Sequence, residues 1–168
     1  MQKQRPRPYV PIHYTVAFFG HRRIENLDRI DEKLMPVLER LITQYDSVEF
    51  LIGRNGEFDI YTASVIKRAQ RTYGIDNNDI TLVLPYMVAD ILDYAQYYDG
   101  ICIPECVEEV HPKAAMGKRN RWMVERADLV IVYVEQEKGG AYRAMKYAER
   151  LWVPVLNLAE DEPVKLNL

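Results

Sequence analysis

Short apolar runs that end at glycine or proline alternate along this chain with longer stretches of helical spacing. From Tyr14 to Phe19 the residues are mostly apolar and stop at Gly20, as in a strand buried on both faces of a parallel sheet. From Asp28 to Tyr45, Ile30, Leu34, Val37, Leu38, Leu41 and Ile42 recur at helical spacing. Pro36 falls among them and is expected to kink that helix or shift its start. Ser47 to Ile52 is a second strand, closed by Gly53. Glu57 to Tyr73 is the clearest amphipathic helix. Phe58, Tyr61, Val65, Ile66, Ala69 and Tyr73 share its stripe, Lys67, Arg68 and Arg71 fall largely outside it, and Gly74 follows as a stop.

The second half continues the alternation. Asp79 to Leu84 is a third strand ended by Pro85, Met87 to Tyr98 a single short helix, and Gly100 to Ile103 a short strand. An acidic loop from Pro104 to Pro112 precedes a helix from Lys113 to Ala127. Asp128 to Val134 is the strongest strand; the loop Glu135 to Lys138 then leads to Gly139-Gly140. The helix from Ala141 to Leu151 has a small face of Ala141, Ala144 and Ala148 that lets it lie close to a sheet, and Val153 to Leu158 is the last strand. Strands alternating with helices imply crossover connections and a mainly parallel sheet covered on both faces. The expected fold is a Rossmann-like three-layer α/β sandwich. It is read as a single domain over 1–168 with its core at about 14–158.

Composition adds exclusions. The 168 residues are 48% hydrophobic and 28% charged, which is ordinary globular composition and excludes disorder and fibrous repeats. A net charge of -3 provides no global attraction to a polyanion, so no nucleic-acid partner is expected. No segment approaches the roughly 20 apolar residues of a membrane span. The basic start, with Lys3, Arg5 and Arg7, does not lead into a signal-peptide core, so a soluble, cytoplasmic protein without a membrane partner is expected. Cys102 and Cys106 with His111 make at most half a zinc site; reduced thiols and no metal are the reading. The 12 tyrosines suit either core edges or ligand walls.

Glycine placement carries the most chemistry. Gly20, Gly53, Gly56, Gly139 and Gly140 all stand where a strand hands over to the next segment. Parallel sheets bind ligands at that edge. Gly139-Gly140, between the strongest strand and a helix, is the best phosphate cradle, with Lys138 and Arg143 to add charge. It matches neither the Walker pattern nor Gly-x-Gly-x-x-Gly. Glu57 and Asp59 at a helix start either accept hydrogen bonds from sugar hydroxyls, act as a base, or simply pair with the dipole beside an Asn55 cap. His21 and Arg22 follow the first strand as a donor or acid-base group and an anion clamp. Of Lys118-Arg119-Asn120-Arg121, Arg119 and Asn120 are expected to face the site and the outer two to be solvated. Tyr133 or Tyr142 would stack on a base.

These motifs, Phe19-Gly-His-Arg22, Gly53-x-x-Gly-Glu-Phe-Asp59, the run Lys118 to Tyr133 and Gly139-Gly-Ala-Tyr-Arg-Ala144, resemble the SLOG superfamily of Rossmann-like nucleotide-binding proteins. That superfamily includes the Lonely Guy phosphoribohydrolases and the DprA core, and the chain is most similar to its YpsA-like (DUF1273) group. The resemblance implies a pocket for a nucleotide or NAD-derived molecule. Gly139 and Gly140 would hold phosphate, and Gly53, Gly56, Glu57 and Asp59 would line the ribose side. The enzymatic branch resembles Pro-Gly-Gly-x-Gly-Thr-x-x-Glu. Here Lys138-Gly-Gly-Ala-Tyr-Arg-Ala-Met-Lys146 lacks the Pro, third Gly, Thr and Glu, so binding is favoured over phosphoribohydrolase activity.

Three functions follow as expectations. The first is a binding or sensor module for a nucleotide-like small molecule, with no cofactor. The second is an N-glycosidic-bond hydrolase in which Glu57 or Asp59 stabilises an oxocarbenium-like state or activates water. The third is an interaction module with a vestigial pocket, for which Trp122, Trp152 and the tyrosines speak. A homodimer is compatible with this fold class but is not legible in the residues.

Overall fold

The computed structural model describes residues 11–163; the basic segment carrying Lys3, Arg5 and Arg7 lies outside them. Six strands, β1 (His13–Gly20), β2 (Ser47–Ile52), β3 (Asn78–Val83), β4 (Gly100–Cys102), β5 (Leu129–Tyr133) and β6 (Val155–Asn157), form one sheet in the order β4-β3-β2-β1-β5-β6. Every pairing is parallel. Five helices connect them: α1 (Leu27–Gln44), α2 (Glu57–Tyr73), α3 (Ile91–Ala95), α4 (Pro112–Arg126) and α5 (Gly140–Arg150). This is the expected Rossmann-like arrangement.

Strand side chains alternate between two cores because the strand period is two. Val16 and Phe18 of β1, Phe50 and Ile52 of β2, and Leu129, Ile131 and Tyr133 of β5 face α1 and α2. Ala17, Phe19, Leu51, Val130 and Val132 face α4 and α5. On that second side Ala141, Ala144 and Ala148 form the buried face of α5. Their small size lets the helix lie against the sheet.

Some elements differ from the expected ones. The helix anticipated from Met87 to Tyr98 shrinks to the five residues of α3, which buries no residue. Leu92 is 77% exposed there, and without a covered stripe tertiary packing does not extend so short a helix. Part of the acidic loop tightens into a 3₁₀ turn at Glu105–Val107. Pro36 neither ends nor shifts α1, which runs unbroken for 18 residues. The proline ring sits on the exposed face while Leu34, Val37 and Leu38 stay buried. Pro36→Ala restores the missing amide of that turn. It is expected to stabilise the fold by about 1–2 kcal/mol, after the gain in unfolded-chain entropy is deducted. Urea titration of the two proteins checks this.

Candidate functional site

The strand order reverses direction between β1 and β5, so the loops leaving these two neighbours diverge. Such a crevice at the carboxyl ends of parallel strands is where open α/β sheets take ligands. A cavity of about 450 Å³ opens there. Gly20, His21 and Arg22 reach it from β1, Gly53 and Asn55 from β2, and Gln136, Lys138 and Gly139 from β5. Met116, Arg119 and Asn120 of α4 and the first turn of α5 complete the lining.

Gly139 is the N-cap of α5 and has φ 92°, a left-handed backbone that side-chain-bearing residues rarely adopt. No side chain caps this helix, and a Cβ at Gly139 would meet nothing within 4 Å. The first-turn amides of α5 have no intrahelical acceptor, and the helix dipole adds partial positive charge. Lys138 and Arg143 line the same mouth. The result is an open anion cradle.

Two buried ionisable side chains, Arg119 and Asp59, line the cavity. Arg119 is 4% exposed. Its Nη1 donates to the Val83 carbonyl at 2.8 Å and its Nη2 to the Met116 sulfur at 2.9 Å, while Nε has no partner. Burial pulls the guanidinium below its ordinary pKa, and the charge of Asp59 opposes this. Asp59 is 8% exposed. Burial raises its carboxyl above the ordinary value of 3.8, against the hydrogen bond from the Asn55 amide at 3.0 Å and the charge of Arg119. A raised folded-state value means that the native state holds its proton where the unfolded chain has released it. Asp59 therefore favours the fold more at and below 3.8, and that contribution disappears as pH rises through the folded-state value. Asp59→Asn is expected to remove this downward slope of stability with rising pH. Denaturant titrations across the acid range measure it.

The structure brings Gly20, His21, Arg22, Gly53, Asp59, Arg119, Asn120, Gly139 and Gly140 to one cavity. Their jobs there differ. A Cβ on Gly20 would overlap the ring of Phe58, one on Gly56 the backbone of Arg22, and one on Gly53 the guanidinium of Arg119, so these three glycines permit close packing. His21 Nε2 accepts the Glu135 amide at 2.9 Å and ties the two rim loops together. Lys118 and Arg121 lie in solvent.

Gly56, Glu57, Tyr133 and Tyr142 do not line the cavity. Gly56 is the N-cap of α2, and the Asn55 side chain does not cap it; Asn55 Nδ2 instead donates to Met116 Sδ at 3.1 Å. Glu57 is exposed, and its Oε2 accepts the Ile24 amide at 2.7 Å. It opens onto a separate hollow beside Arg54, Tyr61 and Tyr98. Tyr133 is buried with Ile131 on the α1–α2 side, its ring 6.4 Å from that of Phe58 and its hydroxyl donating to Glu135 Oε1 at 3.0 Å. Tyr142 lies in the groove between α4 and α5. Met116 and Gln136 line the cavity without having been anticipated. Met116 stands three and four residues before Arg119 and Asn120, so helical spacing alone places it on their face. His111 caps α4, its Nδ1 accepting the Lys113 amide at 3.2 Å. Trp152 is 93% exposed just beyond α5, whereas Trp122 is half-buried with the Arg126 guanidinium 3.8 Å from its ring.

No helix among the described residues is long and apolar enough to cross a membrane. No protein-family model and no curated protein matches the chain. Among solved structures it is similar to DNA processing protein A (DprA) from Streptococcus pneumoniae, at 14% identity and TM-score 0.60. It is also similar to DprA from Helicobacter pylori, at 14% and 0.58, a structure described for its single-stranded DNA binding mode. The alignments cover 85% and 86% of this chain. They span only 49% and 64% of those two, so this chain corresponds to about half of the first and under two thirds of the second. What the likeness establishes is the fold, a six-stranded parallel α/β sheet of the DprA-like Rossmann type.

Proposed function

We propose that this protein binds a nucleotide-like small molecule at the carboxyl edge of its sheet, as a member of the YpsA-like branch of the SLOG superfamily. The observation that carries the reading is the uncapped start of α5 at Gly139-Gly140, open to the cavity and flanked by Lys138 and Arg143. An anion on those amides satisfies donors that no protein group satisfies. Arg22 lies at the same rim. Inside, the Asn120 Oδ1 acceptor has no partner and suits a sugar hydroxyl or an exocyclic amine of a base.

Binding is favoured over glycosidic hydrolysis. Two-carboxylate glycosidase chemistry needs a pair of acids flanking one bond. Among the described residues of the cavity lining, Asp59 is the single carboxylate, and it lies at the floor holding the Asn55 amide. Glu57 is turned into the neighbouring hollow and occupied by Ile24.

Isothermal calorimetry and thermal shift against AMP, NAD and ADP-ribose test the proposal. At least one is expected to raise Tm and to titrate as a single site. A single-stranded oligonucleotide belongs in the same panel because of the Helicobacter pylori neighbour. No response to any mononucleotide or NAD-derived compound sinks the reading.

A further inference from the structure

The cavity does not stop at Gly140. Between α4 and α5 lies a second hollow of about 880 Å³, and the two share Met116, Asn120, Gly140 and Arg143. Its walls are basic. Lys113, Arg121, Arg143, Lys146 and Arg150 stand against one acid, Glu149, which pairs with Lys146 at 2.9 Å. The whole chain carries a net charge of -3, so this positive charge is a local concentration, complementary to an anion. The groove is kept open by a missing side chain. Gly117 sits in the interior of α4, where glycine is a poor helix former, and a Cβ there would meet nothing within 4 Å. Asn120 stands where the two hollows join. It is 9% exposed, and its Oδ1 is a buried acceptor without a donor, a state that a ligand donor at this junction would relieve.

Resting on the nucleotide-like reading above, we infer that the site takes a two-unit ligand, a dinucleotide. Its first phosphate sits on the Gly139-Gly140 turn, its linking sugar passes Asn120, and its second phosphate enters the α4–α5 groove. A mononucleotide on the cradle leaves Lys113, Arg121 and Arg150 of the groove without an acidic partner among the described residues, since the groove's one acid, Glu149, is taken by Lys146. A second phosphodiester unit meets them, and Tyr142 and Tyr147 give its base an aromatic wall.

The test is calorimetry on the full chain with AMP and with the 5′-phosphorylated dinucleotide pApA. Wild-type protein is expected to bind pApA about tenfold more tightly than AMP, the worth of one or two added charge-assisted contacts. Gly117→Leu fills the groove and replaces a poor helix former, so its Tm is expected to hold or rise. It keeps AMP affinity within about twofold and loses the pApA advantage. Arg121→Glu with Arg150→Glu is expected to lose the same advantage through charge. Equal affinity of wild type for both compounds, or an advantage that survives both variants, overturns the inference and leaves the cradle standing. Failure of pApA to bind wild type overturns the inference, and the nucleotide reading beneath it falls only if AMP, NAD and ADP-ribose fail to bind as well. A long single strand that binds far more tightly than pApA makes the ligand a polymer and also overturns the assignment. So do groove variants that change the sedimenting mass and not the affinity, since the groove is then a face between two copies of the chain.

Discussion

Gly140→Asp is expected to fold normally and to lose nucleotide affinity by about 100-fold or more. The space is there: a Cβ at Gly140 lies 3.7 Å from Asn120 Nδ2, an ordinary contact. Gly140 is the first residue of α5, where a carboxylate interacts favourably with the helix dipole. The same carboxylate occupies the amide cradle from within and opposes a phosphate with like charge, which costs several kcal/mol in a partly desolvated site. Thermal unfolding is therefore expected to show unchanged or higher stability while calorimetry with AMP shows binding lost. Retained affinity in a folded Gly140→Asp protein would remove the cradle from the site.

The second large effect is on stability. Gly20→Ala is expected to destabilise the fold by about 3 kcal/mol, the upper end of overpacking costs. That lowers Tm by roughly 6–12 °C for a domain of this size. Its added Cβ would overlap the base of the Phe58 ring, including Phe58 Cβ at 2.6 Å, so no rotation of the ring alone relieves the clash. Phe58 is fully buried at the start of α2. Gly20 pairs with Tyr133 on β5, in a strand held between β2 and β5. Neither side retreats without breaking ladder hydrogen bonds. Phe58→Ala alone costs about 3–5 kcal/mol through a cavity. The double variant is expected to cost clearly less than the sum, because the new methyl enters the space the ring vacates. Additive losses in denaturant titrations would show that the two residues do not confront one another as the geometry states.

Much of the fold is legible in the chain because local periodicity encodes it. Ser47–Ile52 and Glu57–Tyr73 emerge with the bounds that the apolar pattern indicates. The rim of the site is legible for a related reason. Glycine after a strand marks a place where backbone must come close to something, and Gly20, Gly53 and Gly139 all reach one cavity. What glycine spacing does not encode is the identity of that neighbour. At Gly20 and Gly53 it is a side chain of this protein, and at Gly139 it is open space.

The direction of individual side chains divides in the same way. Tyr133 is on the α1–α2 face because it shares the parity of Leu129 and Ile131. Parity is visible in the residues, but which face carries the cavity is not. Glu57 and Asp59 are two residues apart at the start of α2, a separation of about 200° around a helix axis. One is buried at the cavity floor and the other opens onto a different hollow. Spacing says that they diverge and does not say which one enters the site.

By itself, then, the sequence determined the alternation of strands and helices, the buried stripe of each helix and the cluster of glycines at one sheet edge. These follow from contacts between near neighbours in the chain. The tertiary structure alone decided that β1 and β5 lie side by side across 113 residues, as in the hydrogen bond from Thr15 to Asp128. It alone placed Arg119 beneath Gly53 and brought α4 against α5 to make a basic groove. Strand order and the choice of sheet face are settled by which apolar surfaces cover one another over the whole chain. No local window contains that balance.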